Sequence, residues 1–140
     1  VAALATAPVA AMMRGATIDD GELLLLQRSL ERGAGIGALA HWEQTAVYFG
    51  LATLGAPPSP TLLSQLQSTF ASGCAGARDG ATRAELIIRG WSLAAMGALG
   101  EDGWASLIKA VGEPSGMWGG PTELSDTEQL FLLHAAMLTA

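Results

Sequence analysis

Glycines that read as helix stops recur along the chain at nearly one interval, and this constrains the fold more than any other feature. Gly33, Gly73 and Gly112 follow QRSLER, QSTFAS and LIKAV and stand 40 and 39 residues apart. Gly15, Gly55 and Gly100 follow AAMMR, GLATL and MGAL and stand 40 and 45 residues apart. Glycine takes the left-handed conformation that ends many helices without steric cost. Two interleaved series at a common period predict a repeated helical hairpin.

The starts are marked as well. Ser59 before Pro60 supplies a side-chain acceptor at the N-cap and a residue suited to the first helical position. TRAE from Thr82 and SDTE from Ser125 fit the capping box, in which hydroxyl and glutamate each satisfy an orphan backbone N–H. Asp19 and Glu22 have the same spacing ahead of LLLLQRSLERG. The expected A helices are Val1 to Arg14, Leu39 to Leu54, Arg83 to Leu99 and Asp126 to the C-terminus. The expected B helices are Gly21 to Arg32, Pro60 to Ser72 and Gly103 to Val111.

Composition agrees with an all-α chain. Half the residues are hydrophobic, enough for a core, and they lean on Ala and Leu rather than on alternating Val, Ile and Thr. Leu62, Leu66 and Phe70 fall every fourth residue with Leu63 beside them, while Ser64, Gln65, Gln67 and Ser68 take the other side. TAVYFGLATL and LIIRGWSLAAMGAL are apolar nearly all round, the pattern of a helix enclosed by neighbours; Gly50, Ala52, Gly90 and Ala94 would permit close approach. One hairpin alone gains little, at about 25 cal/mol per Å² of apolar area, against about 1 to 2 kcal/mol per residue of backbone entropy. Stability must then come from stacking. The fold expected is an α-solenoid of about three helical hairpins plus one further helix, a right-handed superhelix. It forms a single array over 1–140 with units at about 1–33, 38–73, 82–112 and 125–140, and reads as a fragment of a longer superhelix.

The period does not fit tetratricopeptide or ankyrin repeats and overlaps HEAT-type units, so HEAT and armadillo stay open. TAVYFGLATLGAPPSPTLLSQL and RGWSLAAMGALGEDGWASLIKAV resemble octotricopeptide repeats, helical hairpins of organellar RNA-binding proteins in green algae. Leu54 and Gly55 with Pro57 and Pro58 carry the Leu-Gly close and proline turn in one unit. Leu99, Gly100 and Trp104 carry the close and the tryptophan that opens the second helix in the next. The resemblance covers Gly50 to Val111 best. It implies an α-solenoid, RNA binding, an organelle with the mitochondrion favoured over the chloroplast, and partners among organellar RNA, chiefly rRNA, and ribosomal proteins. An added component of a divergent mitochondrial ribosome is the expectation, with a protein-protein adaptor as the alternative.

Charge speaks against a free-standing phosphate binder, since thirteen acidic and seven basic side chains leave a net charge of −6. Arg28 and Arg32, four apart on one helix face, are candidates to hold an RNA phosphate, against a solvated face beside Glu31. Arg78 with Arg83, and Lys109, complete the RNA-binding candidates. Arg83 and Arg89 lie about 240° apart around a helix and form no patch together. Trp118 is suited to anchoring a protein or stacking on a base, or to tucking back over the repeats. His41 and His134 have no ligand partners at metal spacing, so no metal, cofactor, small-molecule substrate or catalytic role is expected. Cys74 is alone and reads as a packed apolar residue. VAALATAPVAAMM is too short for a membrane span and reads as a buried helix.

Overall fold

The computed structural model describes residues 28, 35–54, 58–75, 82–112 and 123–139. Among them the chain is all-helical: a 3-10 turn at Gly35–Ala38, then α1 (His41–Leu54), α2 (Pro60–Ala75), α3 (Arg83–Ala95), α4 (Gly100–Val111) and α5 (Asp126–Thr139). The expected helices Val1 to Arg14 and Gly21 to Arg32 lie outside the described residues except for Arg28, which is helical. Gly15, Gly33 and Gly55 lie outside them too.

Two compact units divide the chain, Val1–Thr69 and Phe70–Ala140, and the boundary falls within α2. In the first unit α1 buries Ala46, Val47, Tyr48 and Leu51, while α2 buries Leu62 and Leu66, as the fourfold spacing predicts. Ser59 caps α2, its Oγ accepting the Leu62 N–H at 3.2 Å. The Tyr48 hydroxyl donates to the Leu66 carbonyl and ties α1 to α2. Tyr48 is completely buried, so its polar tip needs that acceptor. Tyr48→Phe is expected to cost about 1 kcal/mol, read as a lower denaturation midpoint at unchanged helical content.

In the second unit α3 packs against both α4 and α5, and α4 also meets α5. Helix α3 is enclosed as its all-round apolar pattern predicts: Leu86, Ile87, Arg89, Gly90, Ser92, Leu93 and Ala94 are all buried. Gly90 is a point of close approach. A Cβ there would lie 2.7 Å from Leu107 Cδ2 of α4 and 3.3 Å from the Phe70 ring, closer than carbon atoms pack. Both predicted capping boxes form. Thr82 Oγ1 accepts the Glu85 N–H while Glu85 Oε1 accepts the Thr82 N–H, each at 3.2 Å. Ser125 and Glu128 do the same for α5 at 3.1 and 3.0 Å.

The glycine stops hold less well than the starts. Helix α3 ends at Ala95, four residues before Leu99, because Gly97 takes the left-handed position at φ 72°. The Ala98 N–H then reaches the Leu93 carbonyl at 2.8 Å and the Gly97 N–H the Ala94 carbonyl at 3.0 Å, closing a Schellman motif. Gly100, at φ 67°, opens α4 instead of ending α3. That helix begins three residues ahead of Gly103, where a Cβ would meet Leu99 Cδ1 at 2.8 Å. Gly73 stops nothing: it is a buried residue inside α2, which runs on to Ala75. A glycine that extends a buried stripe and one that ends a helix look alike in sequence.

Candidate partner-binding site

The cations expected to meet RNA divide in the structure. Arg83 is turned inward, its side chain 8% exposed beside a Glu128 side chain 13% exposed. Its Nε donates to Glu128 Oε2 at 3.0 Å and its Nη2 to Oε1 at 3.3 Å, a two-pronged fit of guanidinium to carboxylate. Nη2 also donates to the Glu123 carbonyl at 3.1 Å. Arg83 thus fastens the start of α3 to the start of α5, and its guanidinium is committed to protein groups. Arg89 is completely buried, with Glu85 Oε2 3.7 Å away one turn back on α3. Arg28 and Lys109 are exposed. Arg32, Arg78 and Trp118 lie outside the described residues.

The Glu128 carboxyl is held below its ordinary range. Burial raises it, but the hydrogen bonds from Arg83 and Ser125 and the charge of Arg83 outweigh that and hold it low. The capping box legible in sequence is therefore also the acceptor of a partly buried ion pair 45 residues away along the chain.

His134 has a partner on a neighbouring helix. Trp91 Nε1 donates to its Nδ1 at 3.0 Å, which leaves the ring proton on Nε2. Phe131 meets the Trp91 ring edge-on, with centroids 5.3 Å apart and planes at 79°. Together with Thr127 and Leu130 these residues line a surface cleft of about 330 Å³. No group of His, Cys, Asp and Glu among the described residues is arranged to hold a metal. No described helix is long and apolar enough to cross a membrane.

Helix α5 is the least covered of the apolar helices described. Its sequence LFLLHAAML is as apolar as the interior helices, yet only Ala135 of the helix is fully buried. Leu130, Leu133 and Met137 are 66%, 61% and 67% exposed, and at a spacing of three and four they form one stripe. Leu138 is exposed beside them. The stripe lies opposite the side that carries Glu128 and Ala135, and Leu130 at its N-terminal end borders the Trp91 cleft. Among the described residues α1 also exposes Trp42 and Phe49, seven apart on one face. A neutral groove of about 640 Å³ runs between the 3-10 turn and α2, with Thr61, Ser64, Ser68 and Thr69 on its wall. Sequence periodicity could not have found the α5 stripe, because a helix apolar on every side does not say which side is left uncovered.

Compared with known proteins, the chain matches no family model, no curated protein and no solved structure.

Proposed function

We propose that the chain is a non-catalytic helical-repeat segment that docks proteins within an organellar ribonucleoprotein, the mitochondrial ribosome being the favoured setting. The observation that carries the docking part is the α5 stripe. Soluble surfaces rarely leave contiguous large apolar side chains uncovered unless something binds them. The organellar setting rests on the octotricopeptide-like residues from Gly50 to Val111. The α3–α4 hairpin, followed by a further A-type helix lying on α3, is the arrangement a stacked solenoid would present.

Direct RNA contact is the second reading, and the resemblance favours it. The charges of the second unit weigh against it: Arg83 and Arg89 are buried, whereas Glu101, Asp102, Glu123 and Asp126 are exposed. Phosphate binding by released counterions needs accessible cations. Filter binding of structured RNA over a salt series is the test. We expect no retention that falls with salt. Retention with a slope worth several phosphate contacts, weakened by Arg28→Ala or Lys109→Ala, would overturn the protein-docking reading.

A further inference from the structure

We propose that the contact between Trp91 and His134 is a proton-operated latch: when His134 takes up a proton from water, the C-terminal half of α5 comes free of α3 while the start of α5 stays fastened.

The latch follows from which ring nitrogen is used. The indole Nε1 of Trp91, which can only donate, gives its hydrogen to His134 Nδ1 at 3.0 Å. Nδ1 accepts only while it carries no proton, and in the imidazolium both ring nitrogens are donors. Protonation at Nδ1 therefore sets one N–H against another at hydrogen-bonding distance, and the rings must part. Imidazole is the side chain that makes this change between about pH 5 and 8. His134 is exposed, so the proton reaches it without any opening of the fold.

Two ties along the same pair of helices answer differently to acid. Arg83 with Glu128 joins the starts of α3 and α5, and Trp91 with His134 joins them further along, with Phe131 edge-on to the indole. Burial raises the Glu128 carboxyl, but its bonds to Arg83 and Ser125 hold it low overall, so the first tie survives the range in which imidazoles titrate. The second does not. Helix α5 then pivots on its capped and ion-paired start, and the turn that carries the buried Ala135 lifts away. Few charges surround His134 among the described residues. On α5 itself Asp126 and Glu128 lie in the first turn, and no charged side chain follows through Ala140. On α3 Arg89 is completely buried with Glu85 3.7 Å away. On α4 Glu101 lines a separate cleft with Trp104, Ala136 and Thr139, while Asp102 and Lys109 are exposed. The lining of the Trp91 cleft, with Thr127, Leu130 and Phe131, includes no ionisable group besides His134.

The test follows the full chain by NMR from about pH 8 to about pH 5, reading the indole N–H of Trp91, assigned by its loss in Trp91→Phe, and backbone hydrogen exchange corrected for the intrinsic effect of pH. The indole signal should titrate as one group. Over the same range the amides of Leu133 to Thr139 should lose about five-fold in protection relative to those of α3, the weight of one hydrogen bond. Gln129 and Leu130, next to the fastened start, should keep theirs. His134→Gln offers a carboxamide oxygen that accepts at every pH, so it should remove the pH dependence. Trp91→Phe removes the donor and should leave α5 as loose at high pH as the wild type is at low pH. His41→Gln, a change of the other histidine, should alter nothing. PH dependence that persists in His134→Gln, or a loss of protection spread evenly along α5, would overturn the proposal. So would a moving indole signal with unchanged α5 protection: the imidazolium would then have stayed on the indole face, whose centroid is 6.1 Å away at a tilt of 39°.

Discussion

Replacing Glu128 by alanine is expected to lower the stability of the second unit by about 3 kcal/mol, measured by urea unfolding followed by circular dichroism. The carboxylate serves two tasks. It closes the α5 capping box on the Ser125 N–H at 3.0 Å, and it receives Arg83 at 3.0 and 3.3 Å. Its removal takes the carboxylate from a guanidinium that is 8% exposed and bonded also to the Glu123 carbonyl at 3.1 Å. Breaking a pair that is this far buried costs more than a surface ion pair is worth. Ser125→Ala, which removes the cap and keeps the ion pair, should cost only about 1 kcal/mol, so the two variants separate the tasks.

Acid titration gives the same pair a second readout. The folded-state Glu128 carboxyl sits below its unfolded value, so at low pH the unfolded chain binds the extra proton. Its contribution is complete above the unfolded carboxyl value, about 4.3, and is lost as pH falls through the lower, folded value. Glu128→Gln should therefore flatten the acid limb of the stability curve below about pH 5 and leave its neutral plateau lower. An acid limb identical to the wild type would show that the ion pair does not hold α3 to α5.

The second large effect is expected at Gly90. Gly90→Val should destabilise by about 2 to 3 kcal/mol, despite the better helix propensity of most residues over glycine. A Cβ there already meets Leu107 Cδ2 at 2.7 Å and Phe70 at 3.3 Å, and both neighbours are buried. A branched side chain must displace one of them. Leu107→Ala alone should cost about 3 kcal/mol through the cavity it opens under a completely buried side chain. Combined, the two changes fill and empty one space, so the double variant should lose clearly less than the sum of the singles. Additive losses would mean that α3 and α4 do not meet at this point.

How much of this was legible beforehand depended on the range of the interaction. The starts of α2, α3 and α5 are set by hydroxyls and glutamates within three residues of one another, and all three appear where Ser59, Thr82 and Ser125 predict them. The buried stripe of α2 follows from local spacing, and Gly90 stands out in the sequence as a small residue in an apolar helix. The glycine stops depart from the repeat period where tertiary packing or a local turn takes over: Gly73 packs inside α2, Gly100 opens α4, and Gly97, off the repeat period, ends α3. Arg83 read as a candidate for phosphate because its partner, Glu128, is 45 residues distant and looked fully occupied as a cap.

By itself the sequence determined the all-helical class and the capped helix starts, because caps and helix period act over one or two turns. Which side of an all-apolar helix is covered, and which charges are left to face water, are properties of what packs against it. Only the tertiary structure decided that Arg83 and Arg89 are turned inward, and that α5, with much the same composition as α3, keeps Leu130, Leu133 and Met137 on the surface.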